Sequence, residues 1–181
     1  MNQVKGQIRE VLGKFQDGYT ARDVSQLDKF MELFQQSDEI EMIGVGASKR
    51  GGNEWFQGFE QIREIIESDW TYWGDVKLNV EGAKISVKGD AAWLSTDGDL
   101  LNSAEFDDAL PLYLDMMKET LDDESRSLKL RVMDATFFGL SRIRDIQRGV
   151  GFPNSFTFTA VLVCEDNVWR FHTIHWSFPG E

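Results

Sequence analysis

The run 155–179 constrains this chain more than any other stretch. Two apolar segments, 156–164 and 168–178, meet at a tight turn, Glu165-Asp166-Asn167, and read as a β-hairpin. Apolar residues occupy both parities of the two segments, so both faces are expected to be covered. A strand of that kind belongs in a curved sheet that wraps a core or cavity on one side. Its other side then meets helices or a second subunit.

The rest of the chain supplies the partners of that hairpin. Val4, Ile8, Val11, Leu12, Phe15 and Tyr19 recur at three- and four-residue steps, predicting a helix over about 3–20. Asp23 followed by Gln26 resembles a capping box. It opens a second helix whose buried stripe is Val24, Leu27, Phe30, Met31 and Phe34. A short strand is expected at 40–45, then a basic, glycine-rich loop, then a third helix from about Gly58 with Phe56 stapling its start. Residues 75–87 and 91–100 form a second hairpin turning at Lys88-Gly89-Asp90. Val76, Leu78 and Val80 share one parity and Ile85 and Val87 the other, which predicts a bulge near Gly82-Ala83 and so a bent sheet.

Between the two hairpins the pattern changes. Phe106, Leu110, Tyr113, Met117 and Leu121 make one helical stripe, and Leu130, Met133, Phe137, Leu140 and Arg144 make another. This reads as a helical hairpin, about 104–149, inserted into a single domain spanning 1–181. Two helices have too little core to stand alone, so their stripes are expected to dock on the main body or on another subunit.

Charge excludes some partners. A formal charge of −12 repels phosphate backbones, so no nucleic acid is expected. No apolar run reaches the ~18 residues that a membrane span needs. One cysteine, Cys164, and the absence of a leader suit the cytoplasm. No Cys pair, HExxH or GxSxG appears, and the Gly44-Val45-Gly46 loop has the wrong spacing for a nucleotide motif, so neither a metal nor a cofactor is expected.

The residues able to carry chemistry are few. On a regular strand His172 and His175, three apart, point to opposite faces and cannot share a metal. His175 then lies with Thr173 and Ser177, and His172 with Arg170, Ile174 and Trp176. His175 is the candidate acid or base. Asp97 alternates with Trp93 and Ser95 and is a candidate to face a cavity; Glu41, Glu54 and Asp99 are further carboxylates. Tyr19, Trp55, Trp73 and Trp93, with Thr173 and His175, offer the broad apolar surfaces and sparse donors of a small-molecule pocket. Trp169 and Trp176, of opposite parity, are expected on opposite faces.

The order helix, helix, strand, helix, hairpin, inserted helices, hairpin now joins two short motifs. These are Gly58-Phe59-Glu60-Gln61-Ile62 and Asn167-Val168-Trp169-Arg170-Phe171 with His175-Trp176-Ser177. Together they resemble the nuclear transport factor 2-like superfamily, in its SnoaL-like branch, over about 3–102 and 154–179. The inserted helices fall outside the resemblance. It implies an α+β fold: a cone-shaped, strongly curved, mostly antiparallel sheet wrapped around the N-terminal helices, open at one end. Relatives of this kind commonly form homodimers through the sheet's outer face. They include isomerases, dehydratases, cyclases, hydrolases and proteins without catalysis. The steroid-isomerase aspartate position falls near Ile43, with Glu41 two residues earlier, and the late histidine matches His175 with Thr173 two before it. The resulting expectation is a cytoplasmic homodimer holding a small apolar or amphiphilic molecule in an aromatic-lined cavity. The alternatives are a cofactor-free acid–base enzyme using His175 with Asp97, and a non-catalytic assembly domain.

Overall fold

The computed structural model describes the chain except Met1, Val45, Gly46, Ser48, 51–53, Trp73, Ala104 and 179–181. It also leaves out the side chains of Tyr72, Phe106, Asp108, Ala109, Leu112, Phe137, Phe138 and 140–146. The chain divides into two compact units, one formed by Met1–Leu100 and Asn154–Glu181, the other by Leu101–Pro153.

The first unit opens with α1 (Asn2–Ala21), a 3-10 turn (Val24–Gln26) and α2 (Leu27–Met31). Then come β1 (Glu41–Ile43), β2 (Trp55–Gln57), α3 (Phe59–Tyr72), β3 (Asp75–Leu78), β4 (Lys84–Lys88) and β5 (Ala91–Leu101). The strands join with β6 (Pro153–Glu165) and β7 (Val168–Ser177) in one curved, unclosed, seven-stranded sheet. Its order is β2-β1-β7-β6-β5-β3, with β4 also on β5. The β1–β7 pair is parallel, whereas β1–β2, β4–β5 and β6–β7 are antiparallel.

The predicted stripe of α1 is the centre of the core: Ile8, Leu12, Phe15 and Tyr19 have no exposed surface. Phe15 stands within 5.6 Å, ring centre to ring centre, of Tyr19, Phe30, Phe158, Phe171 and Trp176. Each such side chain removed from water contributes roughly 1.5–3 kcal/mol. The aromatic rings therefore fill the space between the helices and the sheet, and they hold β6 and β7 to α1.

Several local expectations are corrected. Asp23 accepts from Ser25 N and Oγ and so caps a single 3-10 turn, with no capping-box bond from Gln26. Val24, placed in the buried stripe, is 47 % exposed, because the tighter turn rotates it off the face that Leu27, Phe30 and Met31 share. Phe56 belongs to β2, where it pairs with Met42, and the strand was not foreseen from three residues beside a glycine-rich loop. The segment 75–87 is not one bulged strand. A turn at 79–83 breaks it, Asn79 Oδ1 accepting from Gly82 N and Thr96 Oγ1 donating to Asn79 O, and the phase change falls at that break.

The tight turn of the last hairpin uses Asp166 and Asn167 at φ 50° and 61°, the left-handed pair that matches strand twist. Beyond it, β7 is not regular. The register with β6 shifts so that Leu162 faces Phe171 and Val161 faces Thr173, leaving His172 as an extra residue. Trp169 and Phe171 are buried before this bulge, and Ile174 and Trp176 after it. The two tryptophans thus lie on one face, not two. His172 does not share a face with Ile174 and Trp176. On β6 the pattern is plain alternation: Phe156, Phe158, Ala160 and Leu162 are buried, while Thr157, Thr159 and Val161 are exposed. The expectation that this strand is covered on both faces does not hold within one chain.

The second unit is a helical hairpin, α4 (Phe106–Asp122) and α5 (Leu128–Gln147). At its turn Arg126 pairs with Asp134 and Arg131 Nη1 donates to Leu121 O at 2.6 Å.

Candidate functional site

The bulge in β7 and the alternation of β5 and β6 decide which side chains leave the core. Trp93 and Ser95 on β5, Thr159 and Val161 on β6, and Thr173 and His175 on β7 all point away from the helices. With Lys84 and Ser86 of β4 they line a groove of about 450 Å³ on the outer face of the sheet. Register sets the neighbours: Ser86 lies opposite Trp93, Thr159 opposite His175, and Val161 opposite Thr173.

The groove has an apolar middle and a hydroxyl-rich wall. Trp93 is 51 % exposed and Val161 39 %. Around them stand four hydroxyl groups, the Lys84 ammonium and the His175 imidazole. Such a surface offers stacking to a flat apolar group and hydrogen bonds to a polar one. No carboxylate is among the described residues lining it.

The sequence candidates separate by face. Trp93, Thr173 and His175 come together in the groove. Trp55 and Glu41 are on the same outer face further along the sheet, since Glu41 is level with Thr173, and Ile43 with both His175 and Trp55. There Arg50 lies over the Trp55 ring at 5.7 Å and bonds Glu41 at 3.0 Å, and the Trp55 indole N–H is buried without an acceptor. Tyr19 is on the opposite, helix-facing side, its hydroxyl 3.0 Å from Asp69 Oδ2. Burial, then the Asp69 charge and hydrogen bond, hold that phenol well above the ordinary tyrosine range. Trp73 lies outside the described residues.

Asp97, on β5 beyond Ser95, accepts from Asn79 Nδ2 at 3.1 Å, and Asp99 accepts from Ser155 Oγ at 2.7 Å. Gly98 between them is inside a strand, so Asp97-Gly98-Asp99 forms no loop. Glu54 has a left-handed backbone, φ 56°, and its carbonyl takes the Gly44 N–H at 2.7 Å. His172 Nδ1 sits 2.9 Å from Thr173 Oγ1.

Lys84, Ser86, Ser95, Thr159 and Val161 were not singled out from sequence as ligand-binding. The available signal was the short alternation Phe156-Thr157-Phe158-Thr159, which marks one face of this part of the strand as polar before any fold is known.

No protein-family model and no curated protein matches the chain. Solved structures do. A nuclear transport factor 2-like protein with a cystatin-like fold from Novosphingobium aromaticivorans is 11% identical, with TM-score 0.57, over 96% of this chain and 80% of that one. A protein from Streptomyces avermitilis, provisionally named a dehydratase of the same family, is 10% identical with TM-score 0.61 over 99% of both chains. A protein from Thiobacillus denitrificans, provisionally named a calcium/calmodulin-dependent protein kinase type II association domain, is 14% identical with TM-score 0.54. It is covered over 93% of its length and 94% of this chain. The fold is that of the nuclear transport factor 2-like proteins. At these identities the likeness extends to the fold alone.

Proposed function

We propose that this is a SnoaL-like binding protein of the cytoplasm that holds a small amphiphilic organic molecule in the groove on the outer face of its sheet. The observation that carries this reading is the half-exposed Trp93 in a concavity of about 450 Å³, beside Lys84, His175 and hydroxyl groups. The helix-facing side supports it less, since the rings of Phe15, Tyr19, Phe158, Phe171 and Trp176 pack against one another with no more than 1 % exposure each. Acid–base catalysis asks His175 for a carboxylate or phenol within reach. Tyr19 is on the other face and Asp97 is engaged with Asn79. The test is titration with the amphiphilic probe 1-anilinonaphthalene-8-sulfonate. Saturable binding that Trp93→Ala removes supports the reading. Binding that Trp93→Ala leaves unchanged, or no saturable binding, overturns it.

A second reading has its own support. Exposed Trp93 and Val161 on a sheet face suit a homodimer contact, and one of the structural neighbours carries the name of an association domain. Sedimentation of wild type against Trp93→Glu separates the two: a dimer that becomes a monomer favours the contact.

A further inference from the structure

Strand register gives the groove on the outer face an internal order. Lys84 lies opposite Ser95, and Thr159 opposite His175. Between these pairs β5 and β6 are neighbours. Cys164 N donates to Asp90 O at 2.8 Å and Ser155 Oγ donates to Asp99 Oδ1 at 2.7 Å. Both bonds fit one antiparallel register, which sets Ser95 level with Thr159 and Trp93 level with Val161. Two adjacent rows therefore cross four strands. One runs from Lys84 through Ser95 and Thr159 to His175. The next runs from Ser86 through Trp93 and Val161 to Thr173. With strands about 4.8 Å apart each row is about 14 Å wide, and the two rows stand about 7 Å from one another.

The rows differ in chemistry. The second has Trp93 and Val161 side by side at its centre, 51 % and 39 % exposed, and its Thr173 hydroxyl already lies 2.9 Å from His172 Nδ1. The first is polar throughout, with the Lys84 ammonium at one end. A flat ring laid on Trp93 therefore places a substituent about 7 Å away against the Lys84, Ser95 and Thr159 side chains.

Charge selects that substituent. The chain carries a formal −12, yet no carboxylate is among the described residues lining the groove. The acids on flanking outward positions are engaged. Asp97, one step beyond Ser95, accepts from Asn79 Nδ2, and Glu41, level with Thr173, pairs with Arg50. An ammonium and hydroxyl donors then face any head group in the first row, and these suit an oxyanion.

We infer that the groove takes an aromatic anion, its ring on Trp93 and Val161 and its carboxylate-type group held by Lys84 with the Ser95 and Thr159 hydroxyls. This rests on the groove reading above and adds to it the charge of the ligand and the direction in which it lies.

The experiment is isothermal titration calorimetry of the full chain with 2-naphthoate and its neutral isostere 2-naphthamide. The acid should bind at least fivefold more tightly than the amide, and Trp93→Ala should weaken both. Lys84→Gln should bring the acid down to the affinity of the amide and leave the amide within twofold. Lys88→Gln makes the same change in net charge four residues along β4, beyond a Debye length at physiological salt, and should leave both within twofold. Equal affinities for acid and amide, both lost in Trp93→Ala, would overturn this inference and leave the groove reading standing. Equal effects of Lys84→Gln and Lys88→Gln would overturn it too, since only overall charge would then be sensed. Absence of saturable binding by either compound would overturn both readings.

Discussion

Phe171 and Ile174, three positions apart on one strand, are both wholly buried on the helix-facing side of the sheet. A regular strand sends residues three apart to opposite faces. The extra residue, His172, absorbs the difference, and everything after it, including Trp176 and His175, takes its side from that insertion. Core and groove are thus set by the same local irregularity.

Removing the extra residue tests this directly. Deleting His172 forces either Ile174 and Trp176 or Trp169 and Phe171 out of the core, and the chain should fail to fold cooperatively. His172→Ala keeps the bulge and should stay within about 1 kcal/mol of wild type, as for a partly exposed site. Urea unfolding of both reads the contrast, and a stable deletion variant would refute the account.

The two faces of the sheet predict opposite answers from two tryptophans. Trp176→Ala empties a site that is 1 % exposed and should cost about 3–5 kcal/mol. Trp93→Ala, at 51 % exposure, should change the monomer's stability by no more than about 1 kcal/mol. Equal losses in chemical denaturation would contradict the assignment of faces.

Tyr19 couples stability to alkaline pH. Its folded pKa lies above the unfolded value, so between the two the native state binds more protons than the unfolded one. Its contribution is complete below about pH 10 and declines as pH rises above that, by about 1.4 kcal/mol per pH unit. Tyr19→Phe should remove that part of the alkaline decline. It should also cost roughly 0.5–1.5 kcal/mol at neutral pH through the lost bond to Asp69. An alkaline limb identical in both proteins would disprove the coupling.

Gly98 is required by contact. An added Cβ would sit 2.6 Å from Lys77 O and 3.0 Å from Phe156 Cζ. The carbonyl belongs to the backbone of β3 and cannot swing aside. Gly98→Ala should therefore destabilise by about 1–3 kcal/mol, read as a lower urea midpoint at unchanged slope.

Much of the fold could be read from periodicity. The stripe of α1, the helical pair α4–α5 and the β6–β7 hairpin follow from spacings of 3–4 and 2, because burying one side of an element leaves that imprint locally. Short elements left none: β2 and the break between β3 and β4 depend on what pairs across from them. Trp93, Thr173 and His175 were nominated from sequence and meet in the groove, whereas Tyr19, nominated with them, lies on the other side.

The sequence by itself determined which residues share a face within each regular element, since that is fixed by backbone geometry between near neighbours. Only the tertiary structure decided which face turns to the helices and where β7 changes phase. Those choices depend on Phe15 and its partners closing over Phe158, Phe171 and Trp176, contacts between residues more than a hundred positions apart.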